Sequence, residues 1–178
     1  MINLDIYLFN LINHLPHPGW LDQIALLLES LGEFQTMCLF TGALFLASLI
    51  LKKKRLWAGA VFLGFTISST ALAANILKHL IHRPRPFTIL TDAYLIGHAV
   101  HSASFPSGHA SLFAALGAFM IFAYRKNKFF WSGLVFLGGI GRIYQGVHYP
   151  TDVVAGWFLG ILFAWLVSSA YKLLIATV

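Results

Sequence analysis

Long apolar runs, each closed by a short polar cluster, set the pattern along this chain. Residues 34–51 are apolar and end at Lys52, Lys53, Lys54 and Arg55. Residues 56–81 are long enough to cross a bilayer with some tilt, and their far end carries Asn75 and Lys78. Residues 109–124 are shorter, but a preceding turn of helix brings them near the roughly 20 residues that a span needs. Segments 129–146 and 153–171 follow, the last bounded by Asp152 and Lys172 and holding Trp157 and Trp165. These five are predicted as spanning helices. The first 33 residues differ: Ile6, Leu8, Phe9, Leu11 and Ile12 precede Pro16-His17-Pro18, and Asp22 and Glu29 interrupt the next leucine-rich segment. Proline breaks a helix interior, so two short amphipathic helices are predicted there, at the interface or packed on the bundle. The alternative is a kinked first span. The expected fold is all-α: one integral membrane helical bundle over 1–178, with five or six transmembrane helices and its core at 34–172.

Composition agrees. The chain is 58% hydrophobic and 10% charged, against roughly 25% charged in soluble domains, and its mean hydropathy is +0.77. A net charge of +6 raises nucleic acid as a partner, but placement argues against it. Lys52, Lys53, Lys54 and Arg55, and then Arg125, Lys126 and Lys128, each follow an apolar segment, as juxtamembrane anchors do. The one cysteine, Cys38, excludes an intrachain disulfide and a cysteine metal cluster. A basic region leading into an apolar core and a small-residue cleavage site is missing at the N-terminus, so a cleaved signal peptide is not expected.

Alternation of spans sorts the cations. With 52–55 on the cytoplasmic side, Lys52, Lys53, Lys54, Arg55, Arg125, Lys126, Lys128 and Lys172 fall inside, and Lys78, Arg83, Arg85 and Arg142 outside. That satisfies the positive-inside rule. It also gathers three polar islands on the outer face: Lys78 with Arg85-Pro86, then Pro106-Ser107-Gly108-His109, then Arg142 with His148 and Asp152.

The islands hold the parts for handling phosphate. Ser107 is a natural N-cap for the third span, and Gly108 leaves room for close approach. A helix N-terminus with free N–H groups is an anion site. Arg85 and Arg142 can each grip a phosphate bidentately, while Lys78 adds a point charge. Snorkelling of the stem to the interface accounts for Arg83 and Lys172. His148 precedes Pro150, a residue suited to a first helical turn, and Asp152 follows one turn on. A carboxylate there can take the Nδ1–H of His148 and leave Nε2 as a nucleophile. His109, at another helix mouth, suits protonation of a leaving oxygen. Of the remaining histidines, His101 and His82 are expected to border the site. Two histidines and a carboxylate could also ligate a metal, but Lys78, Arg85 and Arg142 would repel one, so neither metal nor other cofactor is expected.

With these residues in place the chain resembles the type-2 phosphatidic acid phosphatase superfamily of membrane lipid phosphatases. The family pattern is Lys, six residues, Arg-Pro; then Pro-Ser-Gly-His; then Ser-Arg, five residues, His, three residues, Asp. Lys78 to Pro86, Pro106 to His109, and Arg142, His148 and Asp152 match all spacings, and the resemblance runs over about 36–171. It implies a phosphohistidine on His148 oriented by Asp152, with His109 as general acid. Lys78, Arg85, Ser107, Gly108 and Arg142 would be phosphate ligands. One position departs, since Gly141 replaces the family's serine. A bacterial envelope enzyme of the inner membrane, its site facing outward, is implied. Its substrate would be a lipid phosphate: undecaprenyl diphosphate in preference to a lipid A 1-phosphate or phosphatidylglycerol phosphate. Phosphotransfer to another acceptor would use the same residues. A transport protein of another class would carry ionisable groups in mid-span, and the middles of 36–50, 110–122 and 154–170 carry none.

Overall fold

The polar clusters that punctuate the sequence fall where helices begin and end. The computed structural model describes residues 4–125 and 127–176; Lys126, counted above among the inner cations, lies outside the described residues. Eight helical elements follow in order: α1 (Leu4–Asn13), α2 (Gly19–Gly32), α3 (Phe34–Ile50), α4 (Lys54–Ile81), α5 (Pro86–Ile89), α6 (Gly108–Tyr124), α7 (Lys128–Tyr144) and α8 (Pro150–Ala176). Among the described residues there is no strand.

Local chemistry fixes the ends. His82 and Arg125 adopt the left-handed conformation just past α4 and α6, and their N–H groups bond Lys78 O and Ile121 O. Such caps satisfy carbonyls that the helix leaves open. Ser107 caps α6, with its Oγ accepting from Ala110 N, and Pro150 opens α8.

Each of the five predicted spans falls on a helix: α3, α4, α6, α7 and α8. Length and apolarity alone, however, mark fewer spans than the five or six expected. Residues Lys54–Ile89 and Pro150–Ala176 qualify, and α2 with α3, bent by 62°, qualify as a pair. The 17-residue helices α3, α6 and α7 are each about 26 Å long at 1.5 Å per residue, short of a ~30 Å hydrocarbon core.

Helix α6 is the axis of the bundle, buried almost throughout from Ala110 to Phe119. Glycine lets α8 approach it. A Cβ at Gly156 would stand 2.6 Å from the Ser107 carbonyl oxygen, and one at Gly160 would stand 2.6 Å from Ala115 N. This small-residue packing, favoured between membrane helices, seats the mouth of α8 beside the mouth of α6, where Ser107 N donates to Asp152 O at 2.9 Å.

The N-terminal helices pack against this end. Phe9 of α1 is fully buried with Ala110, Ile143, Tyr149 and Val153. Asn13 donates to Tyr94 O (2.8 Å) and Tyr144 O (2.9 Å) and accepts from Tyr94 N (2.8 Å). That amide ties α1, the long loop and α7 together.

Candidate active site

Four helix ends and two loops bring the polar islands together. Lys78 from α4, Arg85 from the following loop, Gly108 and His109 from α6, Arg142 from α7 and His148 from the α7–α8 loop line one cavity of about 260 Å³. Phe34, Ala71, Ala74 and Leu112 give the same cavity an apolar wall. Ser107 and Asp152 stand fully buried behind it. The loop contributes Val100 and Ser102 to the lining; His82 and His101, expected at the border, are exposed side chains beyond it.

Two of the cations are held by backbone. Lys78 Nζ donates to Ala103 O at 2.6 Å. Arg85 donates through Nε to Ser102 O (2.8 Å) and through Nη1 to Val147 O (3.0 Å). Its Nη1 also lies 3.3 Å from His148 Nε2. Arginine has only donors, so Nε2 must present a lone pair, and the proton of this imidazole sits on Nδ1. That is the tautomer a nucleophilic Nε2 requires. Burial holds His148 well below its ordinary value, at about 3. Asp152 pulls the other way, and the cations of Arg85, Arg142 and Lys78 reinforce the burial. The imidazole is therefore neutral across the ordinary pH range.

Asp152 approaches His148 less closely than the sequence implied. Its Oδ2 lies 3.6 Å from Nδ1, beyond hydrogen-bond distance, and Nδ1 is buried without a partner. The carboxylate is taken up elsewhere. Oδ1 accepts from Arg83 Nη1 at 2.6 Å, and Oδ2 accepts from Tyr149 N (2.9 Å) and from Ser104 Oγ. His109 Nε2 and Arg142 Nε are also buried without partners. Unpaired buried polar atoms are costly, and those of His109 and Arg142 belong to residues that line the cavity, a place suited to a polar guest.

Arg83 corrects the expectation that it snorkels. Its Nη2 reaches Asp5 Oδ2 of α1 (2.5 Å) while Nη1 holds Asp152 Oδ1 and Thr151 Oγ1 (2.7 Å). The guanidinium lies 4.0 Å over the Tyr149 ring. Asp5 in turn accepts from Thr151 N at 3.0 Å and Thr151 Oγ1 at 2.6 Å. Arg142, 2% exposed, is engaged by Glu29 Oε1 of α2 (3.0 Å) and Gln145 Oε1 (2.5 Å). Gln145 Nε2 closes that ring onto Glu29 Oε2 at 3.1 Å. Sequence reasoning missed Asp5, Glu29, Arg83, Ser104 and Gln145. The available signal was a carboxylate inside an otherwise apolar helix, which needs a partner.

Gly141 lies inside α7, and a Cβ there would meet only Leu28 Cδ1, at 3.9 Å.

The chain is similar to known proteins. The PAP2 superfamily matches residues 59–175, a stretch containing all three islands. An undecaprenyl-diphosphatase of Sulfolobus acidocaldarius is 30% identical over 162 residues, covering 89% of this chain and 74% of that protein. A lipid A 1-phosphatase of Rhizobium johnstonii is 36% identical over 121 residues, covering 65% of this chain and 48% of that protein. The chain spans about half the length of several curated relatives that it matches. The crystal structure of Aquifex aeolicus LpxE superposes with a TM-score of 0.73 at 27% identity, over 93% of this chain and 95% of that one. Matched along two thirds of its length and sharing its fold with a solved relative, the chain belongs to the PAP2 superfamily.

Proposed function

We propose that this protein is a membrane lipid phosphatase that hydrolyses a lipid phosphate or diphosphate through a phosphohistidine on His148. The observation that carries the reading is the convergence of Lys78, Arg85, Arg142, His109 and His148 on one small cavity with an apolar wall. About 260 Å³ is below the roughly 300–1,000 Å³ of pockets that enclose a whole ligand. A headgroup phosphate enters, and the lipid tail stays in the bilayer beside Phe34, Ala71, Ala74 and Leu112.

Lys78, Arg85 and Arg142 take the non-bridging oxygens, and the dipole end of α6 at Ser107-Gly108 adds to their field. His148 Nε2 attacks phosphorus in line. As the P–N bond forms, the P–O bond to the lipid breaks, and His109 gives its proton to the leaving oxygen. Water then gives His109 its proton and attacks the phosphohistidine, releasing phosphate and restoring His148. Asp152, held by Arg83, Ser104 and Tyr149 N, supplies a fixed negative charge to the Nδ1 side of the imidazole. The built-in cations do the work of a divalent ion, so the reaction is metal-independent.

Undecaprenyl diphosphate is the favoured substrate. A relative that this chain matches over most of both lengths carries that name. The positive-inside charge pattern supports an inner-membrane protein whose site faces the periplasmic or extracellular side. The test is phosphate release from purified lipids, in detergent with excess EDTA. Undecaprenyl diphosphate should be cleaved fastest, with lipid A 1-phosphate and phosphatidylglycerol phosphate as comparators. Radiolabelled phosphate should be trapped on the wild type and not on His148→Ala; label retained by His148→Ala would overturn the nucleophile.

A further inference from the structure

Every carboxylate side chain of this chain lies toward the site end of the bundle, and the other end is left to cations. The six acids are Asp5, Asp22, Glu29, Glu33, Asp92 and Asp152. Asp5 and Asp152 hold Arg83, Glu29 holds Arg142, Asp22 accepts from Tyr144 and Asp92 faces His14. Glu33 adjoins Gly32 of the cavity wall. At the opposite end, Lys52, Lys53, Lys54 and Arg55 precede or open α4, and Arg125, Lys128 and Lys172 gather in one depression. Among the described residues none of these seven is in an ion pair. The sequence offers no carboxylate side chain there to neutralise them.

The same end contains a second cavity, of about 650 Å³, between α3, α4, α6 and α7. Leu44, Leu63, Phe119 and Trp131 form its walls, and the exposed Lys53, Lys54 and Arg55 form its rim. From Leu56 on its wall to Lys78 at the active site is 22 residues of α4, or about 33 Å of helix, so no headgroup reaches both.

We propose that this cavity is a binding site for an anionic phospholipid of the surrounding bilayer. One acyl chain fills the apolar volume, and the headgroup phosphate rests on Lys53, Lys54 and Arg55. The volume lies within the range of ligand pockets, which are largely apolar with a few polar groups that orient the guest. Basic pockets between membrane helices suit acidic headgroups. A free anion would neutralise the rim and leave the cavity unfilled. A zwitterionic lipid would fill the cavity and leave the net charge. An anionic lipid satisfies both. The site is remote from the catalytic cavity and does not depend on the proposed hydrolysis.

The experiment measures lipid retained by the purified full chain, by native mass spectrometry, on titration with dioleoylphosphatidylglycerol or dioleoylphosphatidylcholine. The wild type should retain one phosphatidylglycerol in clear preference. Removing the rim charges together (Lys53→Gln, Lys54→Gln, Arg55→Gln) should weaken that lipid on the order of a hundredfold, at about 1 kcal/mol per cation, and leave phosphatidylcholine unchanged. Leu44→Trp, which fills the cavity, should weaken both lipids. Arg125→Gln with Lys128→Gln and Lys172→Gln removes as much charge from the same end outside the cavity and should change phosphatidylglycerol binding by less than about threefold. The proposal is overturned if the rim variant binds like the wild type, or if the outside variant loses as much. Competition by glycerol 3-phosphate as strong as that of the intact lipid would make this a free-anion site and also overturn it. The rim side chains are exposed, so those variants decide the matter even if Leu44→Trp fails to fold.

Discussion

Arg83 offers the sharpest test of how the site is held. Arg83→Met removes the bonds to Asp5 Oδ2, Asp152 Oδ1 and Thr151 Oγ1 and takes the Arg83 charge away from two buried carboxylates. Breaking a buried pair costs about 3–5 kcal/mol. The Arg83 side chain is 26% exposed, so water replaces part of the loss and about 3 kcal/mol is expected. For a chain of this size that lowers the melting temperature by about 6–12 °C. Arg83→Lys keeps the charge but loses the fork that spans both acids, and should fall roughly halfway. Because Arg83 contacts Asp152 and not the cavity, kcat should drop, by about a hundredfold if the His148–Asp152 geometry slips by 1 Å, while KM holds. Asp5→Asn should partly restore the stability of Arg83→Met, because it neutralises one of those two negative charges. Scanning fluorimetry in detergent and phosphate release read both effects. A shift under about 2 °C with kcat unchanged would refute the clasp and return Arg83 to an interfacial anchor.

Glu29→Gln should free Arg142 from a competing carboxylate, tightening vanadate inhibition by about tenfold or more, the worth of one charged hydrogen bond. It should also lower the melting temperature, because buried Arg142 then loses its nearest counter-charge; unchanged vanadate affinity would refute the competition. Gly141→Ser should alter kcat/KM by about tenfold or less in either direction, one ordinary hydrogen bond, since the helix leaves room for a Cβ; complete inactivation would refute that. His148 is held at about 3 against an ordinary 6.5. The unfolded chain therefore takes up a proton that the folded one refuses, and stability falls as pH drops from 6.5 toward 3 and is unaffected above that window. His148→Gln should lose less melting temperature than the wild type between pH 7 and 4.5, and parallel slopes would contradict the burial. His109→Ala should lose activity on the lipid by about 10²–10⁴-fold and recover partly with a good leaving group; equal loss on both substrates would remove its role as acid.

The helices were legible because their ends carry chemistry. Lys52 through Arg55, Ser107-Gly108 and Pro150 mark boundaries that the structure places within a few residues of those read from the pattern. The convergence of Lys78, Arg85, His109, Arg142 and His148 was legible too, because alternation of apolar runs puts their helix ends on one face. What the pattern missed was long-range. Asp5 meets Thr151 across 146 positions and Glu29 meets Gln145 across 116, and no local periodicity encodes such pairs. Arg83 illustrates the ambiguity: snorkelling and clasping ask the same of a sequence, a cation near a helix end. Only the position of α1 distinguishes them.

The Asp5 clasp also has a consequence in time. Asp5 leaves the ribosome about 146 residues ahead of its partner Thr151, roughly 7–30 s at ordinary rates of synthesis. Through that interval the first helix lacks the chain segment it will grip, and the opening of α8 has not been made. Insertion of α8 therefore makes three changes in one act, seating Asp152, closing the Arg83 bridge and locking α1 into place. Until then Lys78 and Arg85 stand in the membrane without His148 and Asp152 beside them, so the cavity is assembled late and all at once.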